Sequence, residues 1–343
     1  MDRLYHSLYH QTCGDLEHVL VDTSVDDRTF ERWYRDFAPH LDHRFRYARI
    51  HLTAPNMAAA YEYAFGQATG DYVCPMTHKA FWRQDAIEDI HRILDRYPKI
   101  PAFAFGALYL NSDIHGDTED FRLMPHIEFG CGWDGADPVA HDSRDLFLTT
   151  AELFGAHGYH GPFSYEHWKA PFACHTVYAK SLLDRVRDRF GTLVAGKFAG
   201  DSRLGYRVMD LEPEVLQFTG FTPRMSSVDS KTGAAGSQLR SWRYLCDVFA
   251  TLDPETKAVI SRSPYGYLPL WTMMTYWELF SITGEAKDRL KVDISFDAAV
   301  HHGNICGEIE HLTEIDESVR AGLLTHVQGI GVRHEGGRAR GWF

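Results

Sequence analysis

The feature that most constrains the fold is the alternation of apolar runs with amphipathic segments over residues 17–110. Buried strands are indicated by the runs "EHVLVD" and "AFAFGALYL". Helices are indicated by "DDRTFERWYRDFA", with acidic residues at its start, and by "RQDAIEDIHRILDRYP", which ends in proline. Alternating strands and helices predict an α/β fold with a mixed, mostly parallel sheet and helices on both faces.

The rest of the chain divides into less regular parts. Residues 111–168 are rich in Gly, Asp and His, which predicts a long loop region that forms a candidate active-site surface. A flexible loop is predicted at 226–237, and amphipathic helices follow it. We therefore predict an α/β domain at 1–225 and a mostly helical C-terminal extension at 226–343.

Charge and cysteine usage exclude several classes of protein. The formal charge of −12 disfavours a general nucleic-acid binder. The six cysteines include no CxxC pair, which favours reduced thiols and a cytoplasmic protein. The most apolar run, "YGYLPLWTMMTYWELF", is too short and too polar to be a transmembrane segment. A buried aromatic helix and an interfacial helix in peripheral association with a membrane both fit that run.

Three segments of the chain resemble the family 2 glycosyltransferases with the GT-A fold. They are "SLYHQTCGDLEHVLVDTSVDDRT", then "NMAAAYEYAFGQATGDYV", and then "APFACHTVYAKSLLDRVRDRFG" followed by "GKFAGDSRLGYRV". The resemblance spans about residues 4–210 and implies a Rossmann-like domain that transfers a sugar from a nucleotide-sugar donor. The acceptor it implies is a glycan, a lipid-linked molecule or a small molecule.

The resemblance also raises a question about the first strand. In the family, the strand that corresponds to "EHVLVD" is the second one, whereas this chain begins in the helix that precedes it. A missing central strand would leave two ladders of backbone groups without partners, which is costly. We therefore expect that the sequence is truncated relative to the family, or that another segment replaces the strand.

The first candidate donor-binding residues follow the strand that ends at Val21. In an open α/β sheet, ligands bind beyond the carboxyl ends of the strands. The resemblance implies that Asp22, with Ser24 beside it, contacts the nucleoside. The same side chains suit an Asx turn that caps the next helix, and Asp26 and Asp27 fit a capping role.

The family's metal-binding DxD motif has no carboxylate here. Its positions are filled by Thr77, His78 and Lys79. Magnesium and manganese favour oxygen ligands, so we predict no metal ligands, although a divalent cation (Mn or Mg) stays possible as a cofactor. Lys79 and His78 then form a hypothetical metal-independent clamp for the donor diphosphate. The alternative is a decayed site in which Lys79 is a solvated surface residue.

Asp201 is the candidate catalytic base. It follows Gly200, and the resemblance places the catalytic carboxylate there. A helix N-cap is the structural alternative. Arg203 and Arg207 lie one helical turn apart, so they either reach a phosphate or face solvent.

Aromatic and histidine residues provide the remaining candidates. Tyr159, Tyr165 and Trp168 are predicted to stack on the acceptor sugar. The histidines of "HGYHGPFSYEH" and "HHGNICGEIEH" allow a metal-dependent hydrolase as a minor alternative. A catalytically silent GT-A-like protein that binds a nucleotide, a glycan or a partner is the main alternative, because the DxD carboxylates are missing.

Overall fold

The computed structural model describes residues 2–24, 27–51, 57–76, 80–111, 132–157, 169–172, 175–194, 200–228, 241–252, 254–274 and 298–331. The chain forms two compact units. The first unit comprises Met1–Ser143 and Trp168–Ser230, and the second comprises Arg144–His167 and Lys231–Phe343. The functional boundary predicted after residue 225 stays a prediction.

Among the described residues, helices and strands alternate along much of the first unit, and the second unit is mostly helical. The helices are α1 (Asp2–Tyr9), α2 (Arg28–Asp36), α3 (Met57–Gln67), α4 (Ala86–Arg96), α5 (Ser143–His157), α6 (Lys180–Phe190), α7 (Gly200–Leu211), α8 (Trp242–Ala250), α9 (Pro254–Ser261), α10 (Ala298–His311) and α11 (Glu317–Gly331). The strands are β1 (His18–Asp22), β2 (Phe45–Arg49), β3 (Tyr72–Val73), β4 (Ala80–Trp82), β5 (Ala102–Phe105), β6 (Ala107–Asn111), β7 (Val139–Asp142), β8 (Thr176–Ala179), β9 (Glu214–Phe218) and β10 (Arg224–Val228).

The described strands of the first unit form three sheets. Strands β1 and β2 pair in parallel, and a five-stranded sheet has the order β3-β8-β5-β9-β7. A three-stranded sheet has the order β4-β10-β6. The predicted α/β class is therefore confirmed.

Within that class, the prediction of a mostly parallel sheet is wrong for the described strands, in which antiparallel pairs slightly outnumber parallel ones. The described pairs are three parallel and four antiparallel. Strand β8 accounts for two of the antiparallel pairs, because it lies between β3 and β5 and runs opposite to both. Its neighbours β3 and β5 thus still point the same way, as the strand–helix alternation predicts.

The core of the first unit lies around β5. All four residues of this strand are buried, as expected of a strand with partners on both sides. Phe103 packs edge-on against Phe218 of β9, with ring centroids 5.3 Å apart. On α4, Ile90 and Ile93 are three positions apart and belong to the same buried hydrophobic cluster as Phe103 and Phe218, which explains the amphipathic pattern of that helix.

Gln11 links the end of α1 to the chain that leads into α4. Its Nε2 donates to the carbonyls of Ser7 at 2.7 Å and Arg83 at 2.6 Å, and its Oε1 accepts from the amide of Ile87 at 3.1 Å. The side chain is buried. The glutamine of the "SLYHQ" motif is therefore a structural residue that satisfies backbone groups of two segments.

Gly205 permits a close approach between α7 and residues 169–172. A Cβ added at this glycine would lie 2.8 Å from the carbonyl oxygen of Pro171 and 2.4 Å from the ring of Phe172. No larger residue fits there without a shift of the backbone. The glycine therefore fixes the distance at which α7 packs.

The loop prediction for 111–168 is wrong in part. Strand β7 and helix α5 occupy Val139–Asp142 and Ser143–His157. Leu146, Phe147 and Thr150 of α5 are buried at helical spacing. That signal lies within a stretch dominated by Gly, Asp and His, which led to the loop prediction. Similarly, Ser226–Val228 belong to β10 and are not part of a loop.

The second unit is helical in the described residues. Glu308 of α10 is buried, and its carboxylate accepts hydrogen bonds from the amide of Trp271 at 2.5 Å and from the amide of Thr272 at 2.8 Å. Burial raises the pKa of Glu308, and these bonds oppose that rise. Among the described helices, none combines the length and the apolar character needed to cross a membrane.

Candidate nucleotide-binding site

Asp22 ends β1 and carries a buried carboxylate. Its exposed fraction is 6%. Oδ1 accepts from the amide of Ser24 at 2.8 Å and from the Ser24 hydroxyl, and Oδ2 accepts from the Tyr47 hydroxyl. The Ser24 bonds are those of the predicted Asx turn, but this turn does not cap α2, whose N-cap is Asp27 without a side-chain cap bond. The Tyr47 bond comes from a neighbouring strand. The carboxylate is thus held in one orientation at the carboxyl end of β1.

Tyr47 lies on β2, and its ring packs on helix α2. The ring centroid is 4.7 Å from that of Trp33 and 5.5 Å from that of Phe30. Burial raises the pKa of Tyr47, and its hydrogen bond to Asp22 raises it further. The hydroxyl therefore stays protonated at neutral pH and acts as a donor to Asp22.

Arg49 brings a positive charge to the same end of the sheet. It is the register partner of Asp22 in the β1–β2 ladder. Its guanidinium forms an ion pair with Asp27 and donates to the carbonyl of Ser24 at 3.3 Å. The carboxyl ends of the two strands therefore combine a fixed acceptor, Asp22, with a fixed cation.

Sequence reasoning missed Tyr47 and Arg49. Both lie in the run "FRYARIHL", which is a strand candidate by its sequence. The sequence does not indicate which residue of this strand lies opposite Asp22. The available signal was position, because polar residues at the end of the next parallel strand meet those at the end of the first.

Glu17 fixes the opposite end of β1. Its carboxylate accepts from the amides of Thr69 and Gly70 and forms an ion pair with Arg46 at 2.5 Å. Burial raises the pKa of Glu17, but these donors and the arginine outweigh it and bring the pKa below its ordinary value. The "ATG" turn that precedes β3 is therefore tied directly to the start of β1.

The predicted diphosphate clamp lies outside the described residues. Thr77, His78 and Lys79 fall between β3 and β4, and their placement stays a prediction. A hydroxyl, an imidazole and an ammonium do not suit Mg²⁺ or Mn²⁺, which favour carboxylate oxygens. Across the described part of the chain, no group of three or more His, Cys, Asp or Glu side chains is arranged to hold a metal ion.

Asp201 is the second residue of helix α7, which begins at Gly200. Its side chain lies outside the described part, so its role as a base stays a prediction. Arg203 and Arg207 are both buried, and the alternative that they face solvent is wrong. Arg207 donates to the carbonyl of Thr192 at 2.7 Å, and its guanidinium lies 4.8 Å from the ring centroid of Phe190. It thereby ties α7 to the end of α6.

The predicted acceptor residues Tyr159, Tyr165 and Trp168 lie outside the described residues. So do most of the histidines in "HGYHGPFSYEH".

The second histidine cluster lies on α10, in the second unit. His302 Nε2 is 3.6 Å from the Cys306 thiol, and His302 Nδ1 is 3.2 Å from the Tyr265 hydroxyl. Burial, with a smaller contribution from His302, lowers the pKa of His301 to about 3. Burial and Glu310 raise the pKa of the Cys306 thiol, so this cysteine is not an activated nucleophile.

Comparison with known proteins gives one family match. Residues 1–116 match the sequence model of glycosyl transferase family 2. The third segment of the resemblance lies beyond the matched residues. No curated protein sequence matches the chain.

Among solved structures, the chain is similar to S. aureus TarS at 11% identity and a TM-score of 0.41, covering 97% of this chain and 51% of that one. It spans about half of that protein's length. TarS 1–349 in complex with UDP-GlcNAc gives 10% identity and a TM-score of 0.44, with 97% of this chain and 84% of that chain covered. Over residues 1–116 the chain is similar to the family 2 glycosyltransferases, which confirms the predicted resemblance and the GT-A fold class that it implies.

Proposed function

We propose that the protein transfers a sugar from a nucleotide-sugar donor to an acceptor hydroxyl. The observation that carries this proposal is the buried, oriented carboxylate of Asp22 at the carboxyl end of β1, with the Arg49 cation as its cross-strand partner. Ligands of α/β sheets bind at this end.

The proposed base site is selective because its two charged groups differ in hydrogen bonding. A carboxylate only accepts and a guanidinium only donates. Asp22 and Arg49 are therefore complementary to a base edge that presents an N–H next to a carbonyl, which is the pattern of uracil, thymine and guanine. At the same edge, cytosine and adenine carry an amino group in place of that carbonyl and an acceptor ring nitrogen in place of that N–H, so donor and acceptor are exchanged. The donor nucleotide is thus expected to carry one of the first three bases.

The diphosphate needs positive charge as the glycosidic bond breaks. We assign this role to Lys79, a fixed cation, with His78 as a hydrogen-bond donor to the diphosphate. Thr77, which precedes them in the sequence, is assigned to the same donor-binding segment. The Asp201 carboxylate takes the proton of the acceptor hydroxyl, whose oxygen then bonds to the anomeric carbon. The bond from that carbon to the diphosphate breaks, and the nucleoside diphosphate leaves with the electron pair. Tyr159, Tyr165 and Trp168 stack on the acceptor.

The test is release of nucleoside diphosphate from UDP-, dTDP- and GDP-sugars in EDTA, with and without acceptor. Asp201→Asn should abolish turnover while leaving the affinity for nucleotide unchanged, because only the base is removed. Asp22→Asn should instead weaken nucleotide binding, because its amide replaces one acceptor oxygen with a donor. Full turnover in Asp201→Asn would remove this residue as the base.

A second candidate function is nucleotide binding without turnover. It is favoured by the sequence "THK" at 77–79, where the family has metal-binding carboxylates. Thermal stabilisation of the protein by nucleotide in EDTA, with no release of product from any donor, would select this function.

A further inference from the structure

His302 and Cys306 lie one turn apart on α10, in the second unit. Residues four positions apart lie on one face of a helix, and the imidazole Nε2 is here 3.6 Å from the thiol sulfur. Both side chains are half-buried, so a dissolved ion can reach them. Imidazole nitrogen and thiolate sulfur are ligands by which proteins hold zinc. The pair therefore has the composition of half a zinc site.

The separation of the two atoms decides whether one ion fits between them. A tetrahedral zinc ion, about 2.0–2.1 Å from nitrogen and about 2.3 Å from sulfur, sets these two ligand atoms about 3.5–3.6 Å apart. The observed separation of 3.6 Å matches that value. A linear two-coordinate ion with the same bond lengths would need about 4.3–4.4 Å. The distance therefore favours tetrahedral over linear coordination.

Tyr265 fixes the orientation of the imidazole. Its hydroxyl lies 3.2 Å from Nδ1 of His302, and the two ring centroids are 6.0 Å apart. Burial, with a smaller contribution from Cys306, raises the pKa of Tyr265 to about 12, so the hydroxyl stays neutral. When this hydroxyl accepts the Nδ1 proton, Nε2 keeps its lone pair on the side of Cys306. Metal-binding histidines have this arrangement, in which the second ring nitrogen donates to an oxygen.

We infer that His302 and Cys306 bind a zinc ion, and that Tyr265 is the residue that positions the imidazole for it. The Glu310 carboxylate, one turn further along α10, interacts electrostatically with Cys306 and favours a bound cation. Among the described residues no third His, Cys, Asp or Glu completes the set, so water fills the other two positions of the ion. On binding, the thiol gives its proton to the buffer and the thiolate bonds to the metal, with no change of oxidation state.

The test is titration of the reduced, chelator-free full chain with Co²⁺, a spectroscopic substitute for Zn²⁺. A Co²⁺–thiolate bond gives a charge-transfer band in the near ultraviolet, which imidazole and carboxylate ligands do not give. We expect this band in wild type and its loss when Zn²⁺ displaces the cobalt. Cys306→Ser, a nearly isosteric change, should abolish the band. Cys246→Ser is the matched control, because Cys246 is a half-buried thiol on α8 of the same unit, and it should leave the band unchanged.

Zinc affinity, measured by competition with a chromophoric chelator, tests the other two residues. His302→Gln should lower the affinity at least about tenfold, and Tyr265→Phe about 10–100-fold, the usual effect of removing the partner of a ligating histidine. His326→Gln, at an exposed position of α11, is the control and should change nothing.

A plain hydrogen bond between the Cys306 thiol and the His302 imidazole would give no charge-transfer band. Absence of the band in wild type, its survival in Cys306→Ser, or an unchanged zinc affinity in His302→Gln would overturn the zinc site. An unchanged affinity in Tyr265→Phe would overturn the positioning role of the tyrosine.

Discussion

Lowering the pH should destabilise the first unit through His18. This histidine begins β1 and is buried, with its ring edge-on to Tyr5 at 5.5 Å and 6.0 Å from the ring of Phe45. Among the described residues Nδ1 has no hydrogen-bond partner. Burial lowers the pKa of His18 to about 4, from an ordinary value of 6.5. The native state therefore keeps the imidazole neutral where the unfolded chain protonates it.

The sign and size of the effect follow from that difference in pKa. Above the unfolded pKa both states are neutral, so the stability is complete. As the pH falls from there towards the folded pKa, only the unfolded state gains a proton and stability is lost. Between about pH 7.5 and about pH 5, the loss amounts to about 2 kcal/mol from this one residue.

The assay is urea unfolding of wild type and His18→Gln at both pH values. Glutamine does not titrate, so the variant should lose about 2 kcal/mol less than wild type between the two conditions, whatever its stability at neutral pH. His40→Gln, at an exposed position of the same unit, serves as the control and should lose as much as wild type. Equal losses in wild type and His18→Gln would refute the reasoning.

Two other substitutions test the packing that positions the site. Gly205→Ala should cost roughly 1–3 kcal/mol in urea unfolding, because the added Cβ meets the carbonyl of Pro171 at 2.8 Å. Gly66→Ala, also in a helix but with nothing within 4 Å of the added Cβ, should be neutral or stabilising, and a similar cost at both sites would contradict the close approach. Gln11→Ala should cost about 1–3 kcal/mol, because it removes the partner of the Ile87 amide and leaves the Arg83 carbonyl with the Ala86 amide alone. Gln84→Ala, at an exposed position, should change stability by less than about 0.5 kcal/mol, and an equally small change at Gln11 would show that water replaces its bonds.

The sequence predicted elements whose signal is local. Strand β1, helix α2 and helix α4 are each marked by regularly spaced apolar residues and by residues typical of the ends of such elements, all within a dozen positions. The structure contains all three elements. Asp22 was found for the same reason, since it ends a strand that is readable by itself. Helix α5 was missed because the segment with helical spacing of apolar residues is short and is surrounded by a Gly- and His-rich stretch.

Features that depend on partners distant in the chain were not predicted. Tyr47 reaches Asp22 from 25 positions away, and only the register of β1 against β2 brings the two together. Arg207 is buried because a carbonyl and an aromatic ring from the end of α6 receive its guanidinium. Helical spacing alone could not distinguish that position from a solvated one.

The nucleoside half and the reactive half of the proposed site lie on different parts of the chain, and this makes them separable by experiment. Asp22, Tyr47 and Arg49 are held by β1, β2 and α2, through a hydrogen bond, an ion pair and a ring contact that lie within residues 22–49. A substitution at Lys79 or Asp201 should therefore leave recognition of the base intact. If the protein is a transferase, such substitutions remove turnover from a chain that still binds nucleotide; if it is a silent binder, they change nothing but the affinity for the diphosphate. Base selectivity measured on Asp201→Asn thus tests the first half of the site independently of the second.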